Sequence, residues 1–367
     1  MTCIVKFIKL LLNVIYLFFK PFKRRNQITL ISRESNQVTD DFRLLEHELK
    51  KELKNYKIVV LCKKMDNKFT YSFHMLKQMY HISRSKIVIL DTYCILASVL
   101  KHKDGLIIIQ IWHALGLMKK AGYAILDKEE GRNAKQSALM NMHKNYTYIY
   151  TSSENCIESI SKVFGYPKEV VKSVPLPRID LLKNKKYQND IKEKIYKKYP
   201  KLKNKTNIVY APTFRKDESI MNDALNDLCN NIDYNKYNLV IKMHPLSKIN
   251  IDVKGAIIDK SFSTLEMLSI SDYVISDYSS IIYEAGILKK KLIFYAFDLD
   301  DYKNKRDLFI NYDNSLPGPI VKNGEELSKV LKNKDYSKYN YDLISKYVDL
   351  NIDNYTKNMV EKIKELL

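Results

Sequence analysis

The sequence predicts an α/β protein made of two doubly wound parallel sheets in tandem, preceded by an amphipathic helix. Three observations carry that expectation. From residue 26 onward, short β-branched runs alternate with amphipathic stretches, the pattern of parallel strands joined by crossover helices. The runs are continuously apolar (KIVVLC, KIVILD, LIIIQIW), as needed where both sheet faces are covered. The alternation occurs twice, with a lysine-rich stretch between. The size agrees, since 367 residues with 46% apolar composition support two domains with real cores.

The opening MTCIVKFIKLLLNVIYLFFKPFKRR is apolar but broken by Lys6, Lys9 and Asn13 and stopped by Lys20 and Pro21. It falls short of the ~20 continuous apolar residues a spanning helix needs. Thr2, Lys6, Lys9, Asn13 and Lys20 share one helical face, and Ile4, Phe7, Ile8, Leu11, Leu12, Ile15, Phe18 and Phe19 the other. With the basic cluster Lys20, Lys23, Arg24 and Arg25, residues 1–25 read as an interfacial helix on an anionic membrane face. An ordinary first helix packed on the body is the structural alternative. No small-residue cleavage site follows, so a cleaved signal peptide is not expected.

Residues 26–182 form the first predicted domain. Its strands are Ile28–Ser32, Lys57–Cys62, Lys86–Asp91, Leu106–Trp112, Tyr146–Ser152 and Val170–Val174, with helices at Asp40–Leu53 and Phe69–His81. Residues 183–205 carry ten lysines and no strong apolar period, and read as a surface helix and linker. Residues 206–340 form the second domain. Its strands are Asn207–Ala211, Leu239–Met243, Ala256–Ile258, Tyr273–Ser276 and Lys291–Tyr295, and its helices Met221–Asn231, Ser263–Ile270 and Ser279–Leu288. Residues 341–367 read as a C-terminal helix or two.

A formal net charge of +20 implies an anionic partner: nucleic acid, an anionic membrane face or a phosphate-rich substrate. The apolar content excludes a disordered tail. Cysteines at 3, 62, 94, 156 and 229 have no CxxC spacing, so neither a zinc site nor a disulfide framework is expected.

Doubly wound sheets bind ligands at the carboxyl ends of their strands, and tandem units would face a common cleft there. Four strand ends carry chemistry. Trp112-His113 ends one, and Gly116 follows. A histidine there can take a proton near neutral pH, and glycine lets backbone approach a ligand. Pro212-Thr213-Phe-Arg215 ends another, with a hydroxyl and a guanidinium fork suited to phosphate. Lys242-Met243-His244-Pro245 ends a third, with Lys242 and His244 alternating so that both could point the same way. In Ser276-Asp277-Tyr278-Ser279-Ser280, a helical pattern follows the strand, so free amides and two hydroxyls suit an anion. Glu284, four residues after Ser280, could accept from a ribose diol. Simple N-capping by Asp277 or Ser279 is the structural alternative there.

The set WHALGLMKKAGY, PLPRID, YAPTFRKD, IKMHP, SDYSSIIYE and KKLIFYAFDLDDY resembles the CDP-glycerol glycerophosphotransferase family, the teichoic-acid primases and polymerases with their ribitol-phosphate relatives. The resemblance spans roughly residues 85–335. It implies a GT-B fold and peripheral attachment to the cytoplasmic face of the cell membrane. It also implies transfer of a polyol phosphate from a CDP-polyol to a lipid-linked polyol-phosphate or saccharide acceptor. The family's two essential histidines fall on His113 and His244. Its nucleotide and phosphate contacts fall on His113, Ala114, Leu115, Gly116 and Leu117, on Arg178, on Pro212 and Thr213, on Lys242, Met243 and His244, and on Ser279 and Ser280. The acidic residue after the paired serines is more often Asp than Glu284. The first motif more often reads His-Gly-x-Pro-x-Lys, and the departure leaves glycerol and ribitol both open as the polyol.

The expected reaction is attack of an acceptor hydroxyl on the β-phosphorus of the CDP-polyol, with CMP leaving. His113 is the expected base. His244, with Lys242 and Arg215, is expected to stabilise charge on the phosphates, Ser279 and Ser280 to hold the diphosphate, and Glu284 the ribose. No Asp-x-Asp motif offers ligands, so no obligatory metal or other cofactor is expected. Asp298, Asp300 and Asp301 read as loop residues. The rivals are a sugar-nucleotide glycosyltransferase of the same fold and a non-enzymatic basic surface protein. No nucleic-acid-binding signature appears, so nucleic acid is not expected as a partner. The oligomeric state is left open.

Overall fold

A computed structural model describes residues 2–244, 247–249, 253, 255–333 and 335–367. The chain forms two compact units. One contains the residues up to 114, then 121–180 and 349–367; the other contains 115–120 and 181–348.

The first unit is a six-stranded parallel sheet. Its strands are β1 (Gln27–Ser32), β2 (Lys57–Cys62), β3 (Ile87–Leu90), β4 (Ile107–Gln110), β5 (Tyr148–Thr151) and β6 (Val171–Ser173), in the order β2-β1-β3-β4-β5-β6. Its helices are α1 (Thr2–Leu17), α2 (Asp40–Glu52), α3 (Lys68–Arg84), α4 (Ile95–Val99), α5 (Ala134–Leu139) and α6 (Ile157–Phe164). Ile28, Leu30, Val88 and Ile109 are fully buried, which is why these strands read as unbroken apolar runs. The strand order reverses between β1 and β3, the place where doubly wound sheets open a crevice.

The short helix α7 (Arg178–Lys183) leads into the second unit. That unit's strands are β7 (Thr206–Tyr210), β8 (Tyr237–Ile241), β9 (Ile257–Ile258), β10 (Tyr273–Ser276), β11 (Lys291–Tyr295) and β12 (Ile320–Val321), all parallel, in the order β12-β11-β10-β7-β8-β9. Its helices are α8 (Lys185–Lys198), α9 (Ser219–Asn230), α10 (Thr264–Met267), α11 (Ile281–Ile287), α12 (Leu299–Lys305), α13 (Gly324–Asn333) and α14 (Asp342–Tyr347). The order reverses between β7 and β10. Side chains alternate between faces. Ile208 and Tyr210 pack with Leu225, Leu228, Leu327 and Leu331 on one face. Val209 and Val240 pack with Ile191, Ile195, Leu202, Met267 and Ile270 on the other.

Two expectations need revision here. The lysine-rich stretch 183–205 is part of the second unit, because Ile191, Ile195 and Leu202 sit in its core. Two isoleucines suffice to bury one edge of the lysine-rich α8, and Leu202 just beyond it joins them in the core. The C-terminal stretch divides: α14 stays with the second unit, and α15 (Tyr355–Lys364) packs with the first. Asp180 explains the latter. Its carboxylate accepts from the Tyr355 and Thr356 amides at 2.9 and 2.8 Å and from the Thr356 hydroxyl, capping the start of α15.

Two polar residues of helix α1, Lys9 and Asn13, face the protein, whereas Thr2 and Lys6 are exposed. Lys9 Nζ donates to the Leu139 carbonyl at 2.8 Å and to Asn141 Oδ1 at 3.0 Å. Asn13 donates to the Val99 carbonyl at 3.1 Å and accepts from the Lys101 amide at 2.8 Å. The apolar residues Ile4, Phe7, Leu11, Val14 and Phe18 are exposed, Phe18 at 75%. No helix among the described residues is long and apolar enough to cross a membrane.

Candidate active site

The first unit contributes His113, just beyond β4. The preceding residue, Trp112, has φ 62°, a conformation that side chains other than glycine adopt only under constraint. Its amide donates to Gln110 Oε1 at 2.9 Å, and its ring packs edge-on against Phe164 at 5.3 Å. This turn aims the half-buried His113 at the end of β3. His113 Nδ1 lies 3.1 Å from the Asp91 backbone carbonyl. A carbonyl only accepts, so Nδ1 carries the proton and Nε2 the lone pair of the neutral ring. In that tautomer Nε2 is the acceptor atom of the ring. Burial pushes the Asp91 carboxyl up to about 7, with the Glu34 charge adding to the effect. Sequence reasoning singled out neither Gln110 nor Asp91, because their roles depend on which strands lie side by side.

His143, also passed over, is a core residue. Its Nδ1 lies 3.1 Å from the Tyr146 hydroxyl, its ring packs on Phe164 at 4.8 Å, and burial lowers its pKa to about 3.

Arg178 is also in the first unit. Its Nε and backbone amide each lie 2.8 Å from the Asp41 carboxylate, and Asp41 is buried in the first turn of α2. The expected phosphate contact is thus engaged in a structural ion pair here. The PLPRID motif ties α2 through Arg178 and α15 through Asp180.

The second unit brings together four strand-end segments. The chain enters it at Leu115–Leu117. Leu115 is fully buried, and Gly116 has φ 56°. A Cβ on Gly116 would lie 2.5 Å from the Tyr283 ring, whose hydroxyl donates to the Leu117 carbonyl at 2.8 Å. Gly116 therefore serves close approach to α11. Ala114 remains with the first unit.

At the β7–β10 reversal, the Thr213 amide donates to Asp277 Oδ1 at 2.8 Å, joining the two crevice-forming loops. Pro212, Thr213, Phe214, Met243 and His244 line one small cavity. The His244 ring is exposed and lies 5.5 Å from the Phe214 ring. The Thr213 hydroxyl is buried and has no hydrogen-bond partner among the described residues. Pro245, part of the same motif, lies outside the described residues.

Two expected phosphate ligands are occupied by carboxylates. Arg215 is buried. Its Nε and Nη2 donate to Asp298 at 2.8 and 3.0 Å, Nη2 also to Asp277 at 2.9 Å, and Nη1 to the Thr213 carbonyl at 2.7 Å. Lys242 is buried too. Its ammonium donates to the Asp259 carboxylate at 2.7 Å, the Asp259 carbonyl at 3.0 Å and the Phe262 carbonyl. Three bonds use all its protons. The expectation that Lys242 and His244 point the same way is overturned, since Lys242 turns inward and His244 outward. Both cations brace the loops that carry Thr213 and His244. Asp298, expected in a loop, stands at the start of α12 as Arg215's main partner and also accepts from the Tyr278 hydroxyl at 2.9 Å.

Ser279 and Ser280 follow β10 and are half-buried. Asp277 does not cap α11, because its oxygens serve Thr213, Tyr278 and Arg215. Ser280 makes no side-chain cap bond. Glu284 lies on the inward side of α11, 3% exposed, rather than at a surface where a ribose would meet it directly. Among the described residues, no group of three or more His, Cys, Asp or Glu side chains is placed to hold a metal ion.

Residues 13–366 match the family of the CDP-Glycerol:Poly(glycerophosphate) glycerophosphotransferase. The chain belongs to that family. It is an enzyme of the glycerophosphotransferase class. A teichoic acid glycerol-phosphate primase of Bacillus subtilis is 29% identical over 376 residues, covering 96% of both chains. A teichoic acid ribitol-phosphate primase of Bacillus spizizenii is 28% identical, over 82% of this chain and 80% of that one. The poly(ribitol-phosphate) polymerase of the same organism is 28% identical over 93% of this chain, which spans 56% of that longer protein. Among solved structures, the wall teichoic acid polymerase TagF superposes with a TM-score of 0.75 at 22% identity, over 96% of this chain and 94% of that one. That likeness carries the α/β fold with its two parallel-sheet domains.

Proposed function

We propose that this glycerophosphotransferase transfers glycerol phosphate or ribitol phosphate from a CDP-polyol to a hydroxyl of a lipid-linked, teichoic-acid-type or capsular acceptor, releasing CMP. The acceptor hydroxyl attacks the β-phosphorus, and its proton passes to His113 Nε2. The bond from the β-phosphorus to the bridging oxygen breaks, and CMP leaves with that oxygen. The observation that carries the reading is the His113 Nδ1–H bond to the Asp91 carbonyl, which presents a basic Nε2 beside the reversal point of the first sheet. His244, the Thr213 hydroxyl, and the Ser279 and Ser280 hydroxyls with their amides are the groups we assign to the donor's phosphates. Gly116 and Leu117 shape the wall beside them. Arg215 and Lys242 act as supports, holding these segments through buried carboxylates, and Arg178 braces α2 of the first unit through Asp41. The two units correspond in this reading to a GT-B fold.

The enzyme works at the cytoplasmic face of the cell membrane in this reading. Helix α1 supports it, with Lys9 and Asn13 bonded to the protein and Ile4, Phe7, Leu11 and Val14 exposed. The cluster Lys20, Lys23, Arg24 and Arg25 would meet anionic headgroups.

The test is a donor panel of CDP-glycerol, CDP-ribitol, UDP-glucose and UDP-N-acetylglucosamine with a lipid-linked acceptor. CMP release from a CDP-polyol is expected. UDP release with no CMP release would favour the glycosyltransferase reading instead.

A further inference from the structure

The second unit carries an open cavity of about 810 Å³ outside the groups assigned to the transfer. Ligand sites run from about 300 to 1,000 Å³, so its size suits one. One wall is residues 311–318, in the connection between α12 and β12; the other is residues 338–347, which end in α14. The first wall is pinned to β11. A Cβ on Gly318 would lie 2.1 Å from the Leu292 carbonyl oxygen, so only glycine allows that approach.

Three kinds of group line the cavity. Asn311 and Asn314 are exposed, and among the described residues their side-chain amides have no hydrogen-bond partner. Each amide both donates and accepts, which suits hydroxyls. Lys338 and Lys346 hold their ammonium groups over the Tyr339 and Tyr347 rings, at 5.2 and 5.4 Å. The half-buried rings offer a carbon chain a flat apolar surface, and the cations beside them suit phosphodiester oxygens. Asp342 is exposed in the first turn of α14. Its carboxylate accepts from a hydroxyl but repels a bare phosphate. Asp313, the other lining carboxylate, is paired with Lys303 at 2.8 Å.

Both walls join the segment that carries the serine pair. The Tyr312 hydroxyl donates at 3.1 Å to the carbonyl of Asp277, in the loop of Ser279 and Ser280. The Tyr347 ring meets the Tyr283 ring edge-on at 6.3 Å, and Tyr283 lies on α11, which starts just after Ser280. The cavity thus runs alongside α11, next to the groups assigned to the donor's phosphates.

We propose that this cavity seats the polyol-phosphate chain of the acceptor, with Asn311, Asn314 and Asp342 on its hydroxyls and Lys338 and Lys346 on its phosphodiesters. This rests on the transfer reading given above and adds to it a place for the chain on the second unit. The mixture of groups favours that ligand over simpler ones. A neutral saccharide has no use for the two cations, and a polyphosphate has none for the amides and Asp342.

The experiment uses the full chain and four soluble probes of six units each: glycerol phosphate oligomer, ribitol phosphate oligomer, maltohexaose and inorganic polyphosphate. Three proteins are titrated by calorimetry: wild type, the cavity variant Asn314→Ala/Lys338→Ala, and Lys332→Ala/Asn333→Ala. The last removes the same two residue types from the exposed end of α13. CMP release from CDP-glycerol and CDP-ribitol is measured in parallel, with the oligomers as acceptors. A polyol-phosphate oligomer is expected to bind wild type and the α13 variant alike, and the cavity variant at least about fivefold more weakly. The KM for the oligomer should rise in the same proportion in the cavity variant, with the KM for the CDP-polyol unchanged. No oligomer binding by the wild type, or equal affinity in the cavity variant, would overturn the proposal. Maltohexaose or polyphosphate binding as tightly as the oligomers, with the same loss in the cavity variant, would make the cavity a saccharide or a simple anion site and would also overturn it. If the wild type releases no CMP from either donor, the transfer reading fails, and the titrations alone decide the cavity.

Discussion

Arg215 and Asp298, 83 positions apart, form a two-point ion pair through Nε and Nη2 at 2.8 and 3.0 Å, and the Arg215 guanidinium lies over the Tyr302 ring at 4.8 Å. Both charges are buried, so removing one partner strands the other. Asp298→Ala is expected to cost about 3–5 kcal/mol of stability in urea unfolding. Arg215→Lys keeps the charge but not the fork, and should lose much of the same stability. An Arg215 variant with full stability and only a raised KM for the donor would show that the guanidinium serves phosphate instead.

Gly116 and Tyr283 make the second prediction. The Gly116 Cα faces the Tyr283 ring in a left-handed backbone, so Gly116→Ala meets both a clash and a conformational penalty. A loss of about 1–3 kcal/mol is expected from the clash. The companion Tyr283→Leu, combined with Gly116→Ala, should recover the clash but not the backbone penalty. Thermal unfolding of the two singles and the double checks this; strict additivity would contradict the contact.

Asp91 predicts a pH dependence. Its folded pKa of about 7 lies above the ordinary carboxyl value of 3.8, chiefly through burial. Between those values the folded chain binds the proton and the unfolded chain does not, so this group's contribution to stability falls as pH rises from about 4 and levels off above 7. Asp91→Asn removes the effect. Relative to wild type, the variant should gain stability across that window, approaching about 4 kcal/mol at full deprotonation. Urea unfolding of both proteins at several pH values between 4 and 8 measures the difference. A constant difference would show that the buried carboxyl does not titrate there.

Most of the fold was legible because parallel strands covered on both faces leave unbroken β-branched runs. Tyr273–Ser276 and Lys291–Tyr295 match β10 and β11 residue for residue. The carboxyl ends of the strands were legible, so His113, Thr213, His244 and the serine pair could be placed at strand ends without coordinates, whereas the strand order and its reversal points could not be read. The two-residue strand β12 was not legible, since Ile320–Val321 leaves no periodic signal. Nor was the inward face of α8, where lysines outnumber the two isoleucines that bury it. The roles of Arg215 and Lys242 were misjudged for a different reason. Whether a cation is available depends on carboxylates far away in the chain, here Asp277, Asp298 and Asp259, and strand-end position says nothing about them. The orientation of α1 was ambiguous in the same way. Its two faces were evident, but which one docks depended on carbonyls at Val99 and Leu139.

The most direct measurement is single-turnover CMP release from CDP-glycerol and CDP-ribitol by wild type and His113→Ala, alongside CDP affinity for each. The substitution should slow release by roughly 100-fold or more, the size expected for a lost general base. The fold and CDP affinity should be unchanged. CMP release by His113→Ala at a rate close to wild type would remove His113 from the chemistry.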